Sequence, residues 1–175
     1  MRRESVAAAA RMALTEGSSP FLLRLGPPSK RGDAVHDRPG ISSTESATPV
    51  LLIHGGPGGH SCVFDPLADV LSRHRPVIVY DQLGSGRSGR PLDPALWSLD
   101  RYVDEIARLR KALGLKRVHL VGHSWGGSLA AQYLIATRPA GVASVVLAGP
   151  LLSTERWIAD ANIPRSQLPG VARER

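Results

Sequence analysis

Val118 to Ser128, reading VHLVGHSWGGS, limits what this chain can fold into more than any other stretch. Val118, Leu120 and Val121 are apolar and β-prone, and the run stops abruptly at Gly122-His123-Ser124-Trp125-Gly126. Gly127 follows, and then a helical run from Leu129 to Ala136. A strand that passes straight into a helix through G-x-S-x-G holds its serine in a cramped backbone conformation. Only residues without bulk fit two places to either side, and Gly122 and Gly126 meet that need. Gly127 then lets the helix approach the strand. The serine hydroxyl projects beyond the strand end, beside a helix N-terminus that favours developing negative charge. Ser124 is therefore the candidate nucleophile. A turn that merely caps a strand, or a weak phosphate-binding turn, would use the same glycines. The flanking strand and helix favour the nucleophile.

Upstream, residues 1–48 show no sustained period. Phe21 to Leu25 has the composition of one short strand, and Ser29 to Thr48 reads as a loop or tail rich in Ser, Pro, Gly and mixed charge. The pattern changes at Pro49. Val50-Leu51-Leu52-Ile53 is a continuous apolar run, as expected of a strand buried on both faces. It enters the loop His54-Gly55-Gly56-Pro57-Gly58-Gly59. Asp65 as N-cap with Pro66 at the first position predicts a helix to about Ser72. Val77 to Tyr80 is the next strand, followed by the loop from Asp81 to Ser88. Leu99, Tyr102, Val103, Ile106, Leu109 and Leu113 have helical spacing, with Ser98 as cap and Gly114 as stop. After the Ser124 strand, a helix to Pro139 and a strand over Ser144 to Ala148 complete the alternation. Right-handed crossovers make this an α/β fold, a mostly parallel sheet with helices on both faces. Its glycine-rich loops all follow strands and gather at the carboxyl rim, where such sheets bind ligands.

Acyl transfer at Ser124 needs hydrogen-bond donors aimed at the developing oxyanion. In this architecture one is the N–H of the residue after the serine, Trp125, and the other comes from the loop after an earlier strand. Gly56 is the first choice there, with Gly55 next, because glycine brings the backbone close to a reacting carbonyl. Gly55, Cys62 and His123 are candidate pocket residues. A buried, inert Cys62 is an equal alternative, and His123 is read as packed rather than as a general base. His54 is expected to fix the glycine loop through hydrogen bonds, and Asp81 and Arg87 to organise the loop they occupy.

The chain carries a formal charge of +7. The excess is spread along its length without a basic tract or interleaved aromatics, so a nucleic-acid partner is not expected. Cys62 is the only cysteine, which permits a reducing compartment. The apolar part of the N-terminus, Val6 to Ala10, is too short for a secretory signal, and no run reaches membrane-span length. A cytoplasmic protein of one domain is expected, its oligomeric state left open. No Cys/His cluster has metal spacing and no dinucleotide or P-loop fingerprint is present, so neither metal nor cofactor is expected.

Taken together, HGGPGG at 54–59, YDQLGSGRS at 80–88 and GHSWGG at 122–127 resemble the proline iminopeptidase family, of the α/β-hydrolase fold. The resemblance covers about residues 49–162. It implies a serine peptidase that releases N-terminal proline, or another small residue, from short peptides through an acyl-enzyme. It also assigns Gly56 and Trp125 to the oxyanion hole, and makes 49–153 the first part of the hydrolase core and 154–175 the start of a helical cap. In that family the triad runs Ser, Asp, His, with both partners beyond the cap. Here the six histidines (His36, His54, His60, His74, His119 and His123) all precede Ser124. His60 is the only one loosely placed near the site, and a poor substitute for the base. The family's opening hairpin is replaced by the irregular first segment, and Glu155 and Asp160 lie too early to bind a substrate amino group. The general base and its orienting acid are expected beyond Arg175, and the chain alone is expected to have negligible peptidase activity. Two alternatives stand. One is a truncated, non-catalytic gene product, whose strand near Val145 would be an uncovered, association-prone edge. The other is a hydrolase acting on an ester or lactone.

Overall fold

The computed structural model describes residues 23–25 and 47–166. Its strands are β1 (Leu23–Leu25), β2 (Val50–Ile53), β3 (Val77–Tyr80), β4 (Val118–His123) and β5 (Val142–Ala148). The helices are α1 (Asp65–Leu71), α2 (Leu99–Ala112), α3 (Trp125–Thr137) and α4 (Thr154–Ser166). The described strands form one sheet in the order β1-β3-β2-β4-β5. β3, β2, β4 and β5 are mutually parallel, and β1 runs antiparallel along β3, pairing Leu23 with Tyr80. The short strand expected from Phe21 to Leu25 is thus present as Leu23–Leu25, while most of segment 1–48 lies outside the described residues.

The apolar run at β2 is buried at every position because β2 lies inside the sheet and both its faces are covered. Side chains alternate across a strand, and the two faces have separate cores. Leu51, Ile53, Ile78, Tyr80, Val118 and Leu120 pack with residues of α2 and α3. Val50, Leu52, Val77 and Val79 pack against Phe64, Ala68 and Leu71 at α1. Helices on both faces follow, as the alternating pattern requires.

Helix α2 begins where the sequence places it: the Arg101 N–H donates to Ser98 Oγ at 3.3 Å, and Asp100 lies in the first turn. Near its end, buried Arg110 donates to Tyr133 Oη and to the Ala140 carbonyl, both at 2.8 Å, tying α2 to α3 and to the turn before β5. Three expected boundaries shift. Asp65 is the first residue of α1 and not its cap: Ser61–Phe64 forms a 3₁₀ turn that runs straight into the helix, leaving Phe64 at the cap position. β5 begins at Val142, since the Val118 N–H donates to Gly141 O and starts the pairing early. α3 ends at Thr137 because Arg138 takes a left-handed φ of 42° ahead of Pro139.

Candidate active site

The loops after β2, β3 and β4 meet at the carboxyl rim of the sheet. Ser124 sits between β4 and α3 with φ 52° and ψ −121°, a conformation L-residues avoid and surrounding structure must hold in place. The glycines around it are required by contact. A Cβ on Gly126 would run into the carbonyl oxygens of Ile53 and His54, and one on Gly122 into the carbonyl of Gly126. So the helix start is pressed directly on the end of β2. The Ser124 N–H donates to Ala148 O at 2.8 Å, anchoring the turn to β5. As the first residue of α3, Trp125 has an N–H without an intrahelical acceptor.

The β2 loop abuts this turn. A Cβ on Gly55 would lie 3.1 Å from Ser124 Cβ and 3.2 Å from His123 Nδ1. Gly55 is therefore drawn against the Ser124 turn, and Gly56, next to it in the loop, is exposed, while Ser124 and Trp125 are half-buried. Two expectations are corrected. His123 is exposed beside Gly55 and not packed inside, because it is the last residue of β4, on the rim of the sheet. Cys62 is also exposed, on the 3₁₀ turn, and so is neither buried nor inert by burial. His60 is exposed too.

His54 behaves as expected and more tightly. Its Nε2 accepts the Gln82 N–H at 3.1 Å, which leaves the ring proton on Nδ1, 2.8 Å from the Gly55 carbonyl that accepts it. Burial is the main force lowering its pKa, against a smaller upward pull from the Gly55 carbonyl. A neutral imidazole with both nitrogens engaged is a structural tie, not a free base. The carboxylate of Asp81 organises its loop through backbone donors: Ser61 N–H to Oδ1 and Arg87 N–H to Oδ2, each at 3.0 Å. Burial alone would raise its pKa, but those N–H groups outweigh that and hold it below the ordinary value. Ser88 Oγ donates to the Asp81 carbonyl at 2.5 Å. Arg87 acts through its backbone while its side chain is exposed.

The sequence reading missed three residues. Gln82 is buried and bridges His54 and Trp125, donating from Nε2 to His54 O at 2.7 Å and accepting the Trp125 indole N–H at 3.1 Å. Tyr102 stands edge-on to Trp125, centroids 5.9 Å apart, and donates to Leu83 O at 3.2 Å. Glu105 is buried beneath the same loop, where it accepts the Leu83 N–H at 3.3 Å. Burial pushes its carboxyl up to about 8, with the Leu83 N–H opposing. The sequence showed Tyr102 only as a member of an apolar helix face with Ile106 and Leu109, a face that Glu105 shares, and Gln82 only as part of a loop.

The alpha/beta hydrolase fold family matches residues 48–175 of the chain. The proline iminopeptidase of Heyndrickxia coagulans is 50% identical over 122 residues, 70% of this chain and 42% of that protein. The proline iminopeptidase of Clostridioides difficile (strain 630) is 38% identical over 146 residues, 83% of this chain and 47% of that one. The crystal structure of the proline iminopeptidase of Mycobacterium smegmatis superposes with a TM-score of 0.72 at 32% identity, over 91% of this chain and 50% of that chain. The chain thus spans about half the length of these relatives.

Proposed function

The chain belongs to the α/β-hydrolase fold family, and on that premise we propose that it carries the nucleophile and oxyanion hole of a serine aminopeptidase that removes N-terminal proline from peptides. Ser124 Oγ attacks the carbonyl of the proline residue and the amine of the remaining peptide leaves, giving an acyl-enzyme that water hydrolyses. The N–H groups of Trp125 and Gly56 stabilise the oxyanion. The observation that carries this reading is the strained Ser124, φ 52°, with the Gly55 backbone packed against its Cβ. Similarity to the proline iminopeptidases named above supports the substrate class.

Among the described residues no imidazole is hydrogen-bonded to Ser124 Oγ. His54 has both ring nitrogens bonded, and exposed His123 precedes the nucleophile on the strand. The 175-residue chain is therefore expected to show no turnover of proline p-nitroanilide above the blank. In a form of the chain extended to the length of these relatives, Ser124→Ala is expected to lower kcat by about four to six powers of ten. Wild-type turnover in that variant would overturn the assignment.

A further inference from the structure

We infer that Gln82 is a positioning residue that sets the spacing between the two halves of the oxyanion hole. This rests on the reading of Ser124, Gly56 and Trp125 given above. The two proposed donors lie on different loops, one after β2 and one after β4, and the buried Gln82 amide spans them. An indole N–H can only donate, so the oxygen of the amide faces Trp125, and its nitrogen is left to face the His54 carbonyl. The amide cannot be flipped without breaking both bonds. Its backbone is fixed as well: the Gln82 N–H donates to His54 Nε2 at 3.1 Å, and the Gln82 carbonyl accepts from Ser85 Oγ at 2.7 Å. His54 immediately precedes Gly55 and Gly56, and Trp125 itself carries the other donor. A shift at Gln82 therefore moves both arms of the hole relative to Ser124.

Among side chains of this shape, the amide supplies one donor and one acceptor at every pH. Glutamate, when ionised, keeps the acceptor for the indole but sets a carboxylate oxygen against the His54 carbonyl. Methionine removes both bonds at similar volume. Since transition-state stabilisation is sensitive to donor placement on the ångström scale, the loss should fall on kcat.

The test uses Gln82→Met, Gln82→Glu and Trp125→Phe in the same extended form, with proline p-nitroanilide as the probe. Q82M is expected to lower kcat about tenfold to hundredfold with KM within about threefold. For Q82E the deficit relative to wild type should narrow as pH falls, because a protonated carboxyl regains the donor. A folded Q82M with unchanged kcat, or with only KM raised, overturns the proposal. If the Gln82 variants fail to fold, W125F, which removes the indole N–H and leaves an aromatic ring against Tyr102, decides: unchanged kcat overturns it and a fall of about tenfold supports it. An inactive S124A beside an unslowed Q82M defeats the Gln82 proposal alone, whereas an active S124A defeats the reading beneath it. In the 175-residue chain the Trp125 indole N–H should exchange slowly with solvent and lose that protection in Q82M. Fast exchange in the wild-type chain overturns the bridge without any assay of turnover.

Discussion

At β2 every residue from Val50 to Ile53 is buried, while on β5 the alternate residues Ser144, Val146 and Ala148 are exposed, Val146 to 53%. Both strands are apolar and both pair with β4. The difference is cover. β2 has α1 on one face and α2 with α3 on the other, whereas β5 packs only its Val142, Val145 and Leu147 side against that second layer. The exposed apolar surface continues past β5 through Leu152 and along α4 at Trp157, Ile158 and Ile163. The polar groups divide in the same way. Around β2 and β3, His54, Gln82 and Ser85 are buried and mutually bonded, and buried Asp81 is held by the Ser61 and Arg87 N–H groups, while on the flank the ion pair Arg156–Asp160 is solvent-exposed at 3.9 Å. The buried bonds of the site are concentrated at the centre of the sheet, and the flank reaches the site through the Ala148 carbonyl that anchors the Ser124 turn.

The sharpest way to break this contrast is to strike the tightest contact of the centre. Gly126→Val adds atoms where the Ile53 and His54 carbonyls already lie. It is expected to cost more than about 3 kcal/mol, measured by urea unfolding of the chain. A loss below about 1 kcal/mol would mean that the end of β2 yields and that the centre is not rigid.

A second test reads the centre through pH. Glu105 has its carboxyl pushed up to about 8 by burial. Between the ordinary carboxylate range and about 8, the folded chain holds a proton that the unfolded chain has released. The contribution of Glu105 therefore falls as pH rises, by about 1.4 kcal/mol per pH unit, and levels off above that value, while buried His54 acts in the opposite direction below the ordinary imidazole value. Asp81 has the opposite sign: its lowered pKa makes a contribution that is present above the ordinary aspartate range and lost as pH falls through the folded value. Glu105→Gln should flatten the alkaline slope and leave the acid loss in place. An unchanged slope from pH 5 to 8 in the variant would show that Glu105 is solvated.

The centre was readable from sequence to the extent that its constraints are local. The apolar runs at Val50–Ile53 and Val77–Tyr80 and the glycines around Ser124 each act within a few residues, so strand, turn and helix followed from them. Gln82 did not, because what makes it matter is contact with His54 and Trp125, distant in sequence and joined only by the fold. Glu105 occupies a helix face whose other members are apolar, and sequence alone gives no reason to bury a carboxyl there. The exposure of His123 depends on what stands above the rim, which no strand pattern encodes. The two α1 and α3 boundary shifts came from turns: a 3₁₀ segment leading into α1, and a left-handed Arg138 ending α3.

The smallest expected effect lies on the flank, and it tests the contrast from the other side. Val146→Thr and Trp157→Ser remove apolar surface that is already exposed, 53% and 60% respectively. Each should change stability by no more than about 0.5 kcal/mol. The same surface is a liability in solution: β5 is an edge among the described strands, and the run VASVVLA contains neither charge nor proline to deter pairing. The average mass of the 175-residue chain in sedimentation should therefore rise with concentration, and the double variant should show a smaller rise. A cost above about 1.5 kcal/mol at Val146 would mean that β5 is covered in solution. The centre and the flank would then differ in sequence distance from Ser124 and no longer in burial.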